Sequence, residues 1–140
     1  MASSFEYHLT VPASAIDVLG HVNNVVYLDW VQIAASQHWN HATKEYFKDL
    51  DLNAERIGIE KMAWVVMNHY IDYKAAAMEG DDIVVTTIVK GISGATSERH
   101  TEIRKKGGDK ILVSAITNWC LLKMPDAKPM RVPKEIQELF

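Results

Sequence analysis

In this chain of 140 residues, four consecutive strand-like segments follow one helix-like run, and the turns between them are too short for crossover helices. The segments are "MAWVVMNHYIDY" (62–73), "DDIVVTTIVKGI" (81–92), "ATSERHTEIRKK" (95–106) and "KILVSAITNWCLLKM" (110–124). Turn signals separate them: "AMEGD", "SG" and "KGGDK". Short turns favour antiparallel hairpins, because parallel neighbours need a connection of about a dozen residues or more. Upstream, "SFEYHLTV" sets Phe5, Tyr7, Leu9 and Val11 on one side, a half-buried strand that Pro12 closes.

The helix-like run has Val25, Leu28, Val31, Ala35 and Trp39 at helical spacing. Val26, Ile33 and Ala34 widen the stripe, so the helix is predicted to be nearly engulfed. "TKEYFKDL" (43–50) reads as a second, more exposed helical piece capped by Thr43, and "VPKEIQELF" as a short helix with Pro133 in its first turn. The order is one strand, one buried helix and a four-strand meander. One helix cannot cover both faces of five strands. A strongly curved antiparallel sheet wrapped around the helix, an α+β arrangement, solves half of that problem. Pairing with a second copy, as a homodimer joined edge to edge or a tetramer, protects what remains.

Bulk properties narrow the function. Hydrophobic residues make up 48% and charged residues 24%, the proportions of a globular chain, and 1–140 reads as one domain. A net charge of −3 gives no electrostatic reason to bind nucleic acid or an anionic membrane. No apolar run approaches the ~18 residues of a membrane helix, and "MASSFEYH" lacks a signal-peptide core. The single Cys120 excludes an internal disulfide and suits a reducing compartment, so a cytoplasmic protein is expected.

The most unusual stretch is "DVLGHVNNVVY" (17–27), which gathers an acid, a glycine, a histidine and two asparagines at the mouth of an apolar helix. Orphan N–H groups at a helix start need one cap, and Asn23 or Asn24 can supply it. One cap does not account for the whole cluster.

With the order of elements, "DVLGHVNNVVYLDW" resembles the hotdog fold, and more narrowly the 4-hydroxybenzoyl-CoA thioesterase family of acyl-CoA thioesterases. That family's Asp, the Gly three residues on and the aromatic near the helix start correspond to Asp17, Gly20 and Tyr27; His21 to Asn24 match its "HVNN" version. "IDYKAAAMEGDDIVV" is similar to the family's second strand and turn, with Tyr73, Gly80 and Asp81 at the matching positions. Two positions depart from relatives: "KAAA" stands where a Pro is usual after the Tyr, and Leu19 stands where plant acyl-ACP thioesterases carry Asn.

Thioester hydrolysis needs an activated water or a carboxylate nucleophile, plus donors for the developing oxyanion. The resemblance implies Asp17 as the carboxylate and the backbone N–H of Asn24 as the oxyanion donor, at the positive end of the helix dipole. His21 is a candidate base or orienting group, with a structural histidine as the plain alternative. Gly20 permits a tight turn and close approach of substrate. Asn23 and Tyr27 complete the candidate substrate contacts; capping and core packing are their plain alternatives.

Other residues read as ordinary. His38 and His41 share a helix face but have no nearby acid or Cys, so they read as surface residues, and no metal is expected. No glycine-rich dinucleotide fingerprint follows a strand, so no redox cofactor is expected. Trp30, Trp39, Trp64 and Trp119 read as core or interface, and Cys120 as inert. Lys74, Lys90, Arg99 and Arg131 read as solvated charges able to meet the phosphates of coenzyme A. The leading expectation is acyl-CoA hydrolysis, with an acyl-ACP thioesterase and a non-catalytic acyl-thioester-binding module as rivals; a hotdog dehydratase lacks its own acid–base motif here.

Overall fold

The structure, a computed structural model, describes residues 3–47 and 57–140. Strand β1 (Ser4–Thr10) leads through a one-turn 3-10 segment (Ala13–Ala15) to helix α1 (Asn24–Phe47). Then come β2 (Met62–Tyr73), β3 (Asp82–Ser93), β4 (Thr96–Lys105), β5 (Ile111–Lys123), the two-residue β6 (Lys128–Pro129) and a final turn of helix, α2 (Lys134–Gln137). The main sheet is antiparallel with spatial order β1-β3-β4-β5-β2, and β6 pairs the end of β5. β1 and β2 are thus opposite edges. The strand before α1 and the strand after it flank the sheet, and α1 packs against β1 and β3. This is the curled five-strand antiparallel sheet with a central helix that the sequence predicts, with β6 as an unforeseen addition.

The helix differs from expectation in two ways. It is one continuous element of 24 residues, with no separate second piece starting at Thr43. No Gly or Pro interrupts 37–43, and Thr43 turns its hydroxyl back to donate to the Trp39 carbonyl at 2.7 Å instead of capping. Residues 48–50 of that expected piece lie outside the described residues. Nor is the helix engulfed within the chain. Tyr27, Trp30, Val31, Ala34, Ala35 and His38 form its buried stripe, while Val25 (64% exposed) and Ile33 (37%) face outward. The sequence stripe was rotated because apolar residues lie on both sides of the true contact line. At the chain's end Pro133 caps α2 from outside its first turn.

Alternation along the strands selects the face that meets α1. Ile83, Val85, Thr87 and Val89 of β3 and Ser97, Arg99, Thr101 and Ile103 of β4 are all buried. Glu98, His100, Glu102 and Arg104 take the other face of β4, as its polar sequence predicts. The buried side of β4 is the surprise. Apolar packing divides into one cluster around Tyr27, Trp30, Val85, Ile103 and Val113 and another around Leu121, Val132 and Ile136. Between them lies a polar belt: Thr87 and Thr101 hydroxyls 3.2 Å apart, Arg99 hydrogen-bonded to Thr87, and Thr117 bonded to His69. Among the described residues no helix is long and apolar enough to cross a membrane.

Candidate active site

Between β1 and α1 the chain folds back on itself, and Asp17 organises the turn. The Asp17 N–H donates to the His21 carbonyl (2.8 Å), and the Gly20 N–H donates to the Asp17 carbonyl (3.1 Å). Its side-chain Oδ1 accepts the N–H groups of Leu19 (2.9 Å) and His21 (3.3 Å). Gly20 has a φ of +80°, a left-handed conformation that strains any residue with a Cβ, although open space surrounds the position. The expected tight turn is therefore present. Asp17 Oδ2 has no partner among the described residues.

The loop then docks on the turn that precedes β3. The Val22 N–H donates to the Ala77 carbonyl at 3.0 Å, and the Ala77 N–H donates to the Tyr27 hydroxyl at 2.8 Å. Tyr27 is only 2% exposed, so its hydroxyl is a core group with a satisfied bond, and burial holds its pKa above the usual phenol value. The turn itself is closed by Asp81, whose Oδ2 accepts the Met78 N–H at 2.8 Å. Tyr73, at the end of β2, donates to the Asn24 carbonyl at 3.2 Å across the helix start.

That helix start has a specific pattern of satisfied and unsatisfied donors. Asn23 is the cap, its Oδ1 accepting the Val25 N–H at 3.0 Å and its carbonyl accepting the Val26 N–H at 2.9 Å. The Asn23 N–H donates to the Ala15 carbonyl at 2.9 Å. Asn24 is left: its N–H has no acceptor among the described residues. Asp17, His21, Asn23, Asn24 and Tyr27 all line one open cleft of about 380 Å³, together with Leu19, Tyr73 and Lys74. Gly20 sits within the turn without lining the cleft. Chemically, the cleft combines a half-buried carboxylate, one oxygen of which has no partner among the described residues, with a backbone donor at a helix N-terminus.

The profile of the thioesterase-like superfamily matches residues 11–140. The chain belongs to that superfamily. The fold agrees: the chain is similar to a 1,4-dihydroxy-2-naphthoyl-CoA thioesterase from Synechocystis, at 19% identity over 98% of this chain and 95% of that one, with a TM-score of 0.78. It is also similar to a thioesterase from Thermus thermophilus complexed with coenzyme A and zinc, at 19% identity over 96% and 90% of the two chains, with a TM-score of 0.75.

The remaining candidates of this thioesterase-superfamily chain fall in different places. Lys74 lines the cleft, Lys90 belongs to a groove on the outer face of the sheet, and Arg131 is exposed. Arg99 is no solvated charge; it is 6% exposed and points into the polar belt. Its Nη1 donates to His38 Nδ1 at 2.9 Å and to Thr87 Oγ1 at 3.0 Å. His38 likewise is no surface residue. It is 2% exposed, and burial, then the Arg99 charge, lowers its pKa to about 4, so the ring is neutral and can accept from Arg99. Burial lowers the Arg99 pKa to about 10, which still leaves it charged at neutral pH. This pair was missed because each residue looks ordinary alone. The readable signal was the period-two series Ser97, Arg99 and Thr101 beside Thr87 and Thr117, polar residues on a face that must meet the helix.

Proposed function

We propose that this chain hydrolyses an acyl-CoA thioester to the free acid and coenzyme A. Thioester hydrolysis in general follows from the superfamily; the acyl-CoA substrate and the residue roles are the proposal. The observation that carries it is the pairing, along one cleft, of the Asp17 carboxylate with the Asn24 N–H, which has no acceptor among the described residues. In this reading the thioester carbonyl oxygen takes the Asn24 N–H, whose hydrogen bond strengthens as negative charge develops. Asp17 acts through the Oδ2 that has no partner among the described residues, in one of two ways. Either it takes a proton from an attacking water and passes it to the departing coenzyme A thiolate. Or it attacks the carbonyl and expels that thiolate, leaving a mixed anhydride that water then hydrolyses to the free acid while its proton goes to the thiolate. His21, whose backbone N–H donates to Asp17 Oδ1 and which lines the cleft, orients the carboxylate or the substrate in this reading. Gly20, Asn23 and Tyr27 shape the turn, cap and wall against which the acyl group rests, and Lys74 meets coenzyme A phosphate at the cleft's rim.

The reaction is proposed for a cytoplasmic homodimer, or a tetramer built from it, without metal or redox cofactor. A structure of the Thermus thermophilus relative holding coenzyme A supports the carrier, and the other named relative acts on an aromatic acyl-CoA. The decisive experiment is a thiol-release screen over short, long and aromatic acyl-CoAs. Turnover of one class that disappears in Asp17→Asn supports the reading. Tight binding of acyl-CoA with no thiol release from any class would favour a non-catalytic module, and release from acyl-ACP alone would reassign the carrier.

A further inference from the structure

At the other end of α1, a second pocket of about 300 Å³ lies between the helix and the concave sheet face, and its lining shares no residue with the Asp17 cleft. Its walls include Trp39, Trp64, Trp119, Phe140 and Met62, with Arg99 among them. Trp39 meets Trp64 edge to face (centroids 5.9 Å apart) and stacks on the Phe140 ring at 6.0 Å, so the walls are packed aromatic surface. One buried donor in this lining lacks an acceptor among the described residues, the Trp119 indole N–H. Arg99 engages His38 and Thr87 through Nη1, leaving Nε and Nη2 without a protein partner among the described residues. No carboxylate lies within 4.0 Å of Arg99 among the described residues. A buried cation with only neutral partners is costly, and an orphaned buried N–H adds to that cost.

We infer that this pocket binds a small carboxylate carrying an aromatic or branched apolar body. One cation matches one negative charge, which favours a monoanionic carboxylate over a phosphate dianion. A carboxylate has lone pairs for both a guanidinium and an indole N–H, and its body would fill space lined by rings. The volume is at the small end of ligand sites. Asn24 and Ala35, the first α1 residue of the pocket wall, are 11 positions apart, ~16–17 Å along the helix axis, so the pocket is set apart from the thioester end at Asp17 and its occupant is assigned as a separate free acid. The binding site itself does not depend on the hydrolase reading, because its test reads binding; only its separation from the acyl site, read by thiol release, rests on that reading.

Three of the four tryptophans line the pocket, so intrinsic fluorescence reports occupancy. Phenylacetate and its neutral isostere phenylacetamide are the probes, titrated into the full chain. The acid is expected to give a saturable change and to bind at least ~10-fold more tightly than the amide. Trp119→Phe keeps an aromatic ring, a smaller one, and removes the N–H, and should weaken the acid by about tenfold with a small effect on the amide. Arg99→Gln, read beside its melting curve, should abolish the preference for the acid. Asp17→Asn should bind phenylacetate as the parent does. No saturable response to phenylacetate below about 10 mM, equal affinity for acid and amide, or undiminished binding by Trp119→Phe would each overturn the site. In thiol-release assays saturating phenylacetate should leave KM unchanged; a competitive rise would overturn the assignment to a free acid and make the pocket the far end of the acyl site.

Discussion

The Ala77 backbone N–H donates to the Tyr27 hydroxyl at 2.8 Å, joining the turn before β3 to the first turn of α1 beneath the Asp17 loop. Both residues are buried, so water cannot replace the phenol when it is removed. Tyr27→Phe therefore leaves a buried N–H without an acceptor, which costs ~1–3 kcal/mol. A lower melting temperature, by several degrees, is the expected result. Thiol release should fall by less than tenfold if the hydroxyl serves the scaffold and not the reaction. A large loss of turnover with an unchanged melting curve would move Tyr27 into the chemistry.

Asp17 bears two burdens that one substitution separates. Its Oδ1 holds the turn through the Leu19 and His21 N–H groups, and an asparagine carbonyl can accept the same two bonds. Asp17→Asn should thus change stability by no more than ~0.5 kcal/mol while lowering turnover ~10²–10⁴-fold. Affinity for a non-hydrolysable acyl-CoA analogue should change much less, since the carboxylate acts mainly in the transition state. Asp17→Ala should lose turn stability as well. His21→Ala should cost about tenfold if that residue only orients the turn. Full turnover by Asp17→Asn would leave Asp17 as a turn residue alone.

The same residues explain what the sequence disclosed. Alternation in 62–124 and the short Gly turns specify an antiparallel meander, because pleat period and turn length are local properties. The cluster at 17–24 was visible because so many polar groups before an apolar helix exceed what capping requires. The fate of Arg99 and His38 was not visible. Their burial depends on β4 pairing between β3 and β5 and on where α1 rests, which is tertiary information. Helix rotation failed for a related reason: Val25 and Ile33 are apolar but lie off the line of contact, and a wide stripe does not say which edge of it touches the sheet.

Burial of His38 makes stability depend on pH in a defined window. Its folded pKa is lowered to about 4 from 6.5, by desolvation first and then by the Arg99 and His41 charges. Between those values the unfolded chain takes up a proton that the folded chain refuses. Stability is therefore fully present above pH 6.5 and falls as pH drops toward about 4, by up to about 3 kcal/mol from this group. His38→Asn sets an amide oxygen where Nδ1 accepts from Arg99 and removes the titration. Urea midpoints compared at about pH 7 and pH 5 should converge in this variant relative to the parent. An unaltered pH slope in His38→Asn would assign the acid sensitivity to other groups.

Among the described residues strand β2 pairs only with β5, which leaves one edge of a 12-residue strand without a partner there. Val65 (40% exposed), Met67 (55%), Tyr70 (71%) and Tyr73 (42%) are prominent along it. Long apolar edges invite pairing, and soluble proteins cover them or blunt them with charge. No Lys or Arg occurs between Met62 and Tyr73, so this edge is not blunted by cationic side chains. A homodimer joined through β2 of each copy, alone or paired into a tetramer, is the expected solution, and light scattering at micromolar concentration should give two or four times the chain mass of 15.8 kDa. Met67 sits at the bulge where the β2–β5 register shifts, so a substitution there disturbs the internal ladder least. Met67→Lys should shift the population toward monomer and make the melting temperature less dependent on concentration. If the proposed site is completed by the neighbouring copy, specific activity should fall in step with the dimer fraction. A parent chain that scatters as an active monomer would reject both the dimer and that dependence.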